Sequence, residues 1–270
     1  MAVEMNDINE EFLDYYFPDD PRFVFGDLGG QLFGDSPLYE DLFGEMSDSE
    51  IDACIERMDA EGGGADELVT RIFNQGQEGS CVANACSQAH QIVQALQFGK
   101  ANVVQLSAIS LYKRIGRSPS SGAMVSDGIE EMDTRGILPL DNEANRARFG
   151  TIVMPNTGFR TPYPPGWEAV AKYFAGAKWY PTRSVNGIFT ALCRQKPVVV
   201  GREGHSITYA RPTRLGSNRN RKAKYPNSWS PDWGDEGFGY DTENQIRKSA
   251  SWAAVLESVV SNPFQVPQPN

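Results

Sequence analysis

The sequence predicts an α+β fold: a helical half, then a strand-rich half, with an acidic N-terminal extension in front. Three observations carry this. Val82, Ala85, Ala89, Ile92, Val93 and Leu96 recur at helical spacing behind Cys81 and share one face. Short apolar runs bounded by Gly and Pro crowd the later chain, at Pro197–Gly201, His205–Ala210, Tyr225–Ser230 and Phe238–Tyr240. Charge is split unevenly: residues 1–66 carry a net −17 and residues 67–270 a net +7, within an overall −10.

Taken in order, the extension alternates acidic groups with aromatics and leucines, among them Phe12, Tyr15, Tyr16, Phe17, Phe23, Phe25, Phe33, Leu38, Tyr39, Leu42 and Phe43. A purely solvating tail is poor in aromatics, so these read as short anchors that dock in grooves of the same chain or of another protein. Asp48–Met58 is expected to be helical, capped by Ser47 or Asp48, and Glu61–Ala65 to be a hinge. Gly99 ends the helix that Cys81 begins. Ser107 caps a helix from Ala108 to Ile115, and Ser126 or Asp127 starts another that stops at Gly136. Residues 141–166 are polar and proline-rich and read as a crossing loop. Trp167–Phe174 reads as one more helix, Ser184 caps a helix to Gln195, and Pro197 forces its end. Ala250–Leu256 is expected to close the strand-rich half.

A hydrophobic content of 40% supports a packed core, and no apolar run reaches membrane-spanning length. The four cysteines (Cys54, Cys81, Cys86, Cys193) show neither zinc spacing nor a disulfide framework, so no metal and no cofactor is expected and a reducing compartment is favoured. Met1 to Asp7 lack the basic and apolar parts of a signal peptide. The basic run Arg211, Arg214, Arg219, Arg221, Lys222 and Lys224 has no interleaved aromatics. It reads as a hairpin loop that receives the acidic arm or an acidic partner, rather than as a nucleic-acid surface.

Chemistry concentrates at Gln75-Gly76-Gln77-Glu78-Gly79-Ser80-Cys81. A cysteine at a helix start meets unpaired N–H groups and the positive end of the helix dipole, which favour a thiolate. Cys86 lies about 140° away around that helix and His90 about 180° away, so neither shares the Cys81 face. The second histidine, His205, follows Gly204, and further on comes Asn227-Ser228-Trp229-Ser230-Pro231-Asp232-Trp233-Gly234.

These three motifs, in this order, resemble the active-site segments of papain-like cysteine peptidases, over roughly residues 67–258. The resemblance implies a two-lobe fold, with a helical lobe over about 67–165, an antiparallel barrel-like lobe over 166–258, an arm over 1–66 and a Pro-rich tail over 259–270. It implies Cys81 as nucleophile, His205 as base and proton donor, Asn227 as the group orienting it, and Trp229 as a cover over that contact. Gln75, with the Cys81 N–H, would bind the oxyanion. A protein or peptide is the implied substrate. The chain departs from the family at Val82, where an aromatic is usual, and at Glu78, where secreted members place a disulfide-bonded cysteine. The groove's paired glycines are missing between Gly116 and Gly128, and the arm lacks the usual propeptide pattern. Two rival expectations follow. One is a papain-fold structural component of a large assembly such as a virus particle, giving a cytoplasmic or virion-associated location. The other is a cell-wall peptidase or amidase.

Overall fold

The structure, a computed structural model, describes residues 36–202, 204–215, 220–249 and 253–259. The anchors from Phe12 to Phe33, Arg219, residues 250–252 of the expected closing strand, and the tail from residue 260 lie outside them. The helices are α1 (Tyr39–Phe43), α2 (Asp48–Glu61), α3 (Cys81–Phe98), α4 (Ala108–Ile115), α5 (Val125–Arg135), α6 (Glu143–Phe149), α7 (Trp167–Ala171), α8 (Val185–Cys193) and α9 (Glu243–Ser249). The strands are β1 (Lys178–Thr182), β2 (Val198–Arg202), β3 (His205–Tyr209), β4 (Arg211–Thr213), β5 (Lys222–Pro226), β6 (Phe238–Thr242) and β7 (Ala253–Ser258). This is the α+β, two-lobe papain-like arrangement: helices α3 to α7 first, then antiparallel sheets.

One sheet runs β1-β7-β2-β3 and the other β4-β5-β6, with every pairing antiparallel. The first sheet is a wall between two cores, and period-2 alternation divides its side chains. Val199, Ala254 and Leu256 face the core built on α3, α4 and α5. Val198, Val200, Ala253 and Val255 face the second, with Ile188, Phe189 and Leu192 of α8. Val198, Val199 and Val200 are therefore all fully buried. Helix α3 is buried from Cys81 through Ala95, and its small residues Ala83, Ala85 and Ala89 let neighbours approach on every side. No helix among the described residues is long and apolar enough to cross a membrane.

Ser47, Ser107 and Ser184 cap α2, α4 and α8 through their side-chain oxygens, and Ser47 and Glu50 form a reciprocal capping box. Helix α2 runs past Met58 to Glu61, where Gly62, at φ +82°, ends it. Helix α5 begins at Val125, ahead of Ser126 and Asp127, with Met124 at the N-cap and no side-chain cap bond. The span 141–166 contains α6, capped by Asn142, whose Oδ1 accepts the Asn145 N–H at 2.8 Å. The expected helix from Trp167 changes to a 3-10 turn at Lys172. The fifth strand starts at Lys222 rather than Tyr225 and ends at Pro226, so Asn227-Ser228 leaves the sheet. Strand β1 and helix α9 have no counterpart in the expectations. Strand β1 carries Pro181 and survives as an edge paired, among the described residues, with β7 alone.

Helix α2, which the sequence reading places in the arm, shares a core with α8. Tyr39, Ile51, Ile55 and Met58 are buried there. Acidic residues on its outer face meet the basic run. Asp52 takes Arg214 at 2.5 Å and Arg221 at 2.6 Å, Asp48 takes Arg221 at 2.7 Å, and Asp59 takes Arg211 at 3.3 Å. An ion pair that keeps one partner in solvent, as Asp48–Arg221 does, contributes about 0–1 kcal/mol, whereas each fully buried Ile or Met side chain contributes about 1.5–3 kcal/mol. Apolar burial therefore holds α2 in place, and the ion pairs set its register.

Candidate active site

The chain reaches α3 through a turn over Gln75–Glu78, closed by Glu78 N–H donating to Gln75 O at 3.2 Å. Gly79 permits the next close approach: a Cβ there would sit 2.8 Å from the Gly122 nitrogen. Its N–H donates to Pro119 O at 2.7 Å, which brings the 118–122 loop beside the cysteine. Ser80 precedes the helix, but its side chain makes no cap bond. Its Oγ and carbonyl instead accept the Asn84 side-chain amide at 3.0 and 2.9 Å. The backbone of Ser206, of Val82 and of Cys81 itself favours the thiolate form of Cys81.

Ser206 follows His205, so β3 carries the imidazole to the same end of α3. Thr208 on that strand donates to the Ala85 carbonyl at 2.7 Å, fixing strand against helix. His205 Nε2 lies 2.8 Å from Asn227 Oδ1, which also accepts the Ser228 N–H at 2.8 Å. That amide orientation puts the proton on Nε2 and leaves Nδ1 as the basic nitrogen. The Trp229 ring stacks on His205 at 4.6 Å, and Trp233 meets Trp229 edge-on at 5.3 Å. Backbone bonds tie this segment to the turn before the cysteine: Gln75 N–H to Ser228 O at 2.8 Å, and Ser230 N–H to Phe73 O at 3.1 Å. The Gln75 amide is held at both ends. Its Oε1 accepts Ser228 Oγ–H at 2.5 Å and its Nε2 donates to Glu78 O at 2.8 Å. Nε2 has a second N–H.

Burial dominates the electrostatics. It pushes the Cys81 thiol up to about 11, against the pull of these three backbone groups. A helix start alone favours the thiolate; here desolvation outweighs it. Burial, aided by the Arg202 guanidinium, pushes His205 down to about 3, and the Asn227 bond opposes this. Burial disfavours charge on both groups, so passage of the thiol proton to the imidazole would create two opposite charges together. The other thiols and the other histidine have different settings. Cys86 is packed in the first core and pushed up to about 12 by burial. His90 is buried, with Nδ1 2.9 Å from Gln94 Nε2, and is pushed down to about 4. Cys54 donates to the Cys193 carbonyl at 3.8 Å in the second core.

Several residues around this cluster carry no motif signal. Arg202 pairs with His205 in the β2–β3 register, and its guanidinium binds buried Asp241 at 2.5 Å, which also accepts the Tyr209 hydroxyl at 2.7 Å. Asn156 donates to Asn84 Oδ1 at 3.2 Å and to Asn74 O at 3.3 Å, linking the crossing segment to both sides of the cysteine loop. The only sequence sign was the run of side-chain amides at Asn74, Asn84 and Asn156, which no spacing rule connects.

No family model matches the chain, and no curated protein matches it. Solved structures do. The chain is similar to xylellain, a cysteine protease from Xylella fastidiosa, at 19% identity and TM-score 0.52, covering 70% of this chain and 83% of that one. It is similar to digestive procathepsin L 3 of the Tenebrio molitor larval midgut at 16% identity and TM-score 0.55, covering 70% and 67%. It is also similar to recombinant stem bromelain precursor at 15% identity and TM-score 0.54, covering 80% and 74%. At these identities the likeness concerns the fold, and the fold of this chain is that of the papain-like cysteine peptidases.

Proposed function

We propose that this chain is a cysteine endopeptidase acting on protein or peptide substrates. Cys81 Sγ attacks the scissile carbonyl carbon while its proton passes to His205 Nδ1. The carbonyl oxygen becomes an oxyanion held by the Cys81 N–H and the second N–H of Gln75 Nε2. Collapse breaks the C–N bond, and the imidazolium returns its proton to the leaving amine, leaving a thioester. His205 then takes a proton from water, the hydroxide adds to the thioester carbonyl, the C–S bond breaks to release the carboxylic acid, and the imidazolium returns its proton to the sulfur. Asn227 keeps the tautomer, and Trp229 excludes water from the His205–Asn227 contact.

The observation that carries this reading is the 2.8 Å His205–Asn227 bond under the Trp229 ring, on the strand that Thr208 fastens to the cysteine helix at Ala85. Within the same proposal the acidic extension is an intramolecular docking segment, a reading supported by the ion pairs of α2 with Arg214 and Arg221. The test is incubation of wild type and Cys81→Ala with casein, with the cut sites mapped by mass spectrometry. Cleavage by wild type alone is expected. Limiting iodoacetamide on the purified protein should label Cys81 ahead of Cys86 and Cys193. Equal labelling of all three would remove the nucleophile assignment.

A further inference from the structure

The turn that carries Gln75 is thinly packed: Asn74, Gly76 and Gln77 are all exposed. Glu78 is the residue that ties it down from two directions. Its carbonyl accepts the Gln75 Nε2–H at 2.8 Å. Its carboxylate reaches across to the crossing segment, where Oε1 accepts the N–H groups of Gly158 at 3.0 Å and Phe159 at 2.7 Å, and Oε2 lies 3.2 Å from the Gly158 nitrogen. Successive N–H groups converging on one carboxylate form an anion-binding nest, and such charge-assisted bonds are among the stronger ones. The nest is itself fixed to α4. Lys113 Nζ donates to Phe159 O at 2.7 Å, and the Phe159 ring stands edge-on to Tyr112 at 5.4 Å. A rigid helix thus holds a two-residue nest, the nest holds the Glu78 carboxylate, and the Glu78 carbonyl holds the Gln75 amide.

We propose that Glu78 is a positioning residue for the oxyanion side of the site, acting through Gln75; the assignment rests on the peptidase reading above. The Gln75 amide must offer its free N–H where the oxyanion forms, and one of its two anchors is a carbonyl on an exposed turn. Freeing the Glu78 side chain lets that carbonyl swing, so the donor is lost in the transition state while the ground-state contacts of the groove stay. The effect should fall on kcat rather than KM.

The test is a double-mutant cycle in the full chain: wild type, Glu78→Ala, Gln75→Ala and the double variant, with kcat and KM measured on one peptide substrate. Glu78→Ala should lower kcat by about 10- to 100-fold with KM within about 3-fold, an effect bounded by the loss of one oxyanion donor. In the Gln75→Ala background the same change should cost under about 3-fold, because residues acting through one contact are non-additive. An equal loss in both backgrounds, or no loss in either, overturns the proposal, since a merely structural Glu78 would act regardless of Gln75. Should Glu78→Ala fail to fold, Glu78→Gln runs the same cycle: its amide oxygen can still accept the two N–H groups but without the negative charge, and an intermediate, Gln75-dependent loss is expected. Cys81→Ala separates the two claims. If it cuts as well as wild type, the peptidase reading fails; if it is inert while the cycle is additive, only the role of Glu78 fails.

Discussion

The two faces of the four-stranded sheet bury different kinds of side chain. On the face toward α3, polar groups enter the interior with assigned tasks. Gln91 and Gln94 accept the N–H groups of Leu106 and Val104, each at 3.0 Å, and Asn84 binds Ser80 and Asn156. On the other face, α2 and α8 meet through Tyr39, Ile51, Ile55, Ile188 and Phe189; the buried charge is confined to the Arg202–Asp241 pair beside Tyr209, and the ion pairs of α2 with Arg214 and Arg221 lie nearer solvent. Buried amides that must each find one partner define positions sharply, whereas apolar contacts contribute free energy and tolerate small shifts. The first face suits a site that needs sub-ångström placement. The second suits the attachment of a segment.

Four perturbations can break or sharpen that contrast. The largest effect is expected from Cys81→Ala, which should reduce casein hydrolysis on the order of 10⁴-fold or more, with the urea midpoint almost unmoved. Activity surviving the change would show that the polar face is not the reacting one. Ile55→Ala on the other face should do the reverse. It deletes a fully buried side chain and should cost about 2–5 kcal/mol of unfolding free energy, while kcat per folded molecule holds. A drop in kcat equal to that of a site variant would join the faces functionally.

The third perturbation is acid. His90 and His205 are the chain's two histidines, and burial depresses both, to about 4 and about 3. The unfolded chain therefore binds their protons first. Their stabilising contribution is complete above the unfolded value near 6.5 and is lost as pH falls through that window toward the folded values. Near pH 5.5 the two together should give a slope of roughly 2.4 kcal/mol per pH unit, and urea titrations of His90→Gln should show about half of it. An unchanged slope would mean that His90 keeps its proton in the native state. The smallest effect belongs to the rim. Asp52→Asn removes the carboxylate shared by Arg214 and Arg221 and should cost about 1 kcal/mol, a loss that shrinks as salt is raised from 0.05 to about 0.5 M. A salt-independent loss of several kcal/mol would show that charge, not burial, holds α2.

Much of the helical framework was legible because caps and periodicity are local. Ser47, Ser107 and Ser184 announce α2, α4 and α8, and the alternation behind Cys81 announces α3. Helix α6 leaves little trace in the sequence although Asn142 caps it, because seven residues in a polar, proline-rich stretch give too few periods to see. Strand β1 was hidden by Pro181, which is tolerated only because β1 lies at the sheet edge, a fact of topology. In the candidate site, motif order singled out Gln75, Cys81, His205, Asn227 and Trp229. Glu78 stood out only as the absence of a cysteine, and Arg202 and Asn156 did not stand out at all.

The sequence by itself determined the serine caps of α2, α4 and α8, the runs that become β2, β3 and β6, and the order Gln75, Cys81, His205, Asn227, since caps and runs depend on neighbours a few residues apart and order on the chain alone. Tertiary structure decided the rest: that burial outweighs the helix-end N–H groups at Cys81, that α2 shares a core with α8, and that the Glu78 carboxylate settles on the N–H groups of residues 158 and 159. Each of those outcomes depends on solvent exclusion or on a partner 80 or more residues away. No local pattern encodes either, because both arise only when distant segments close on one another.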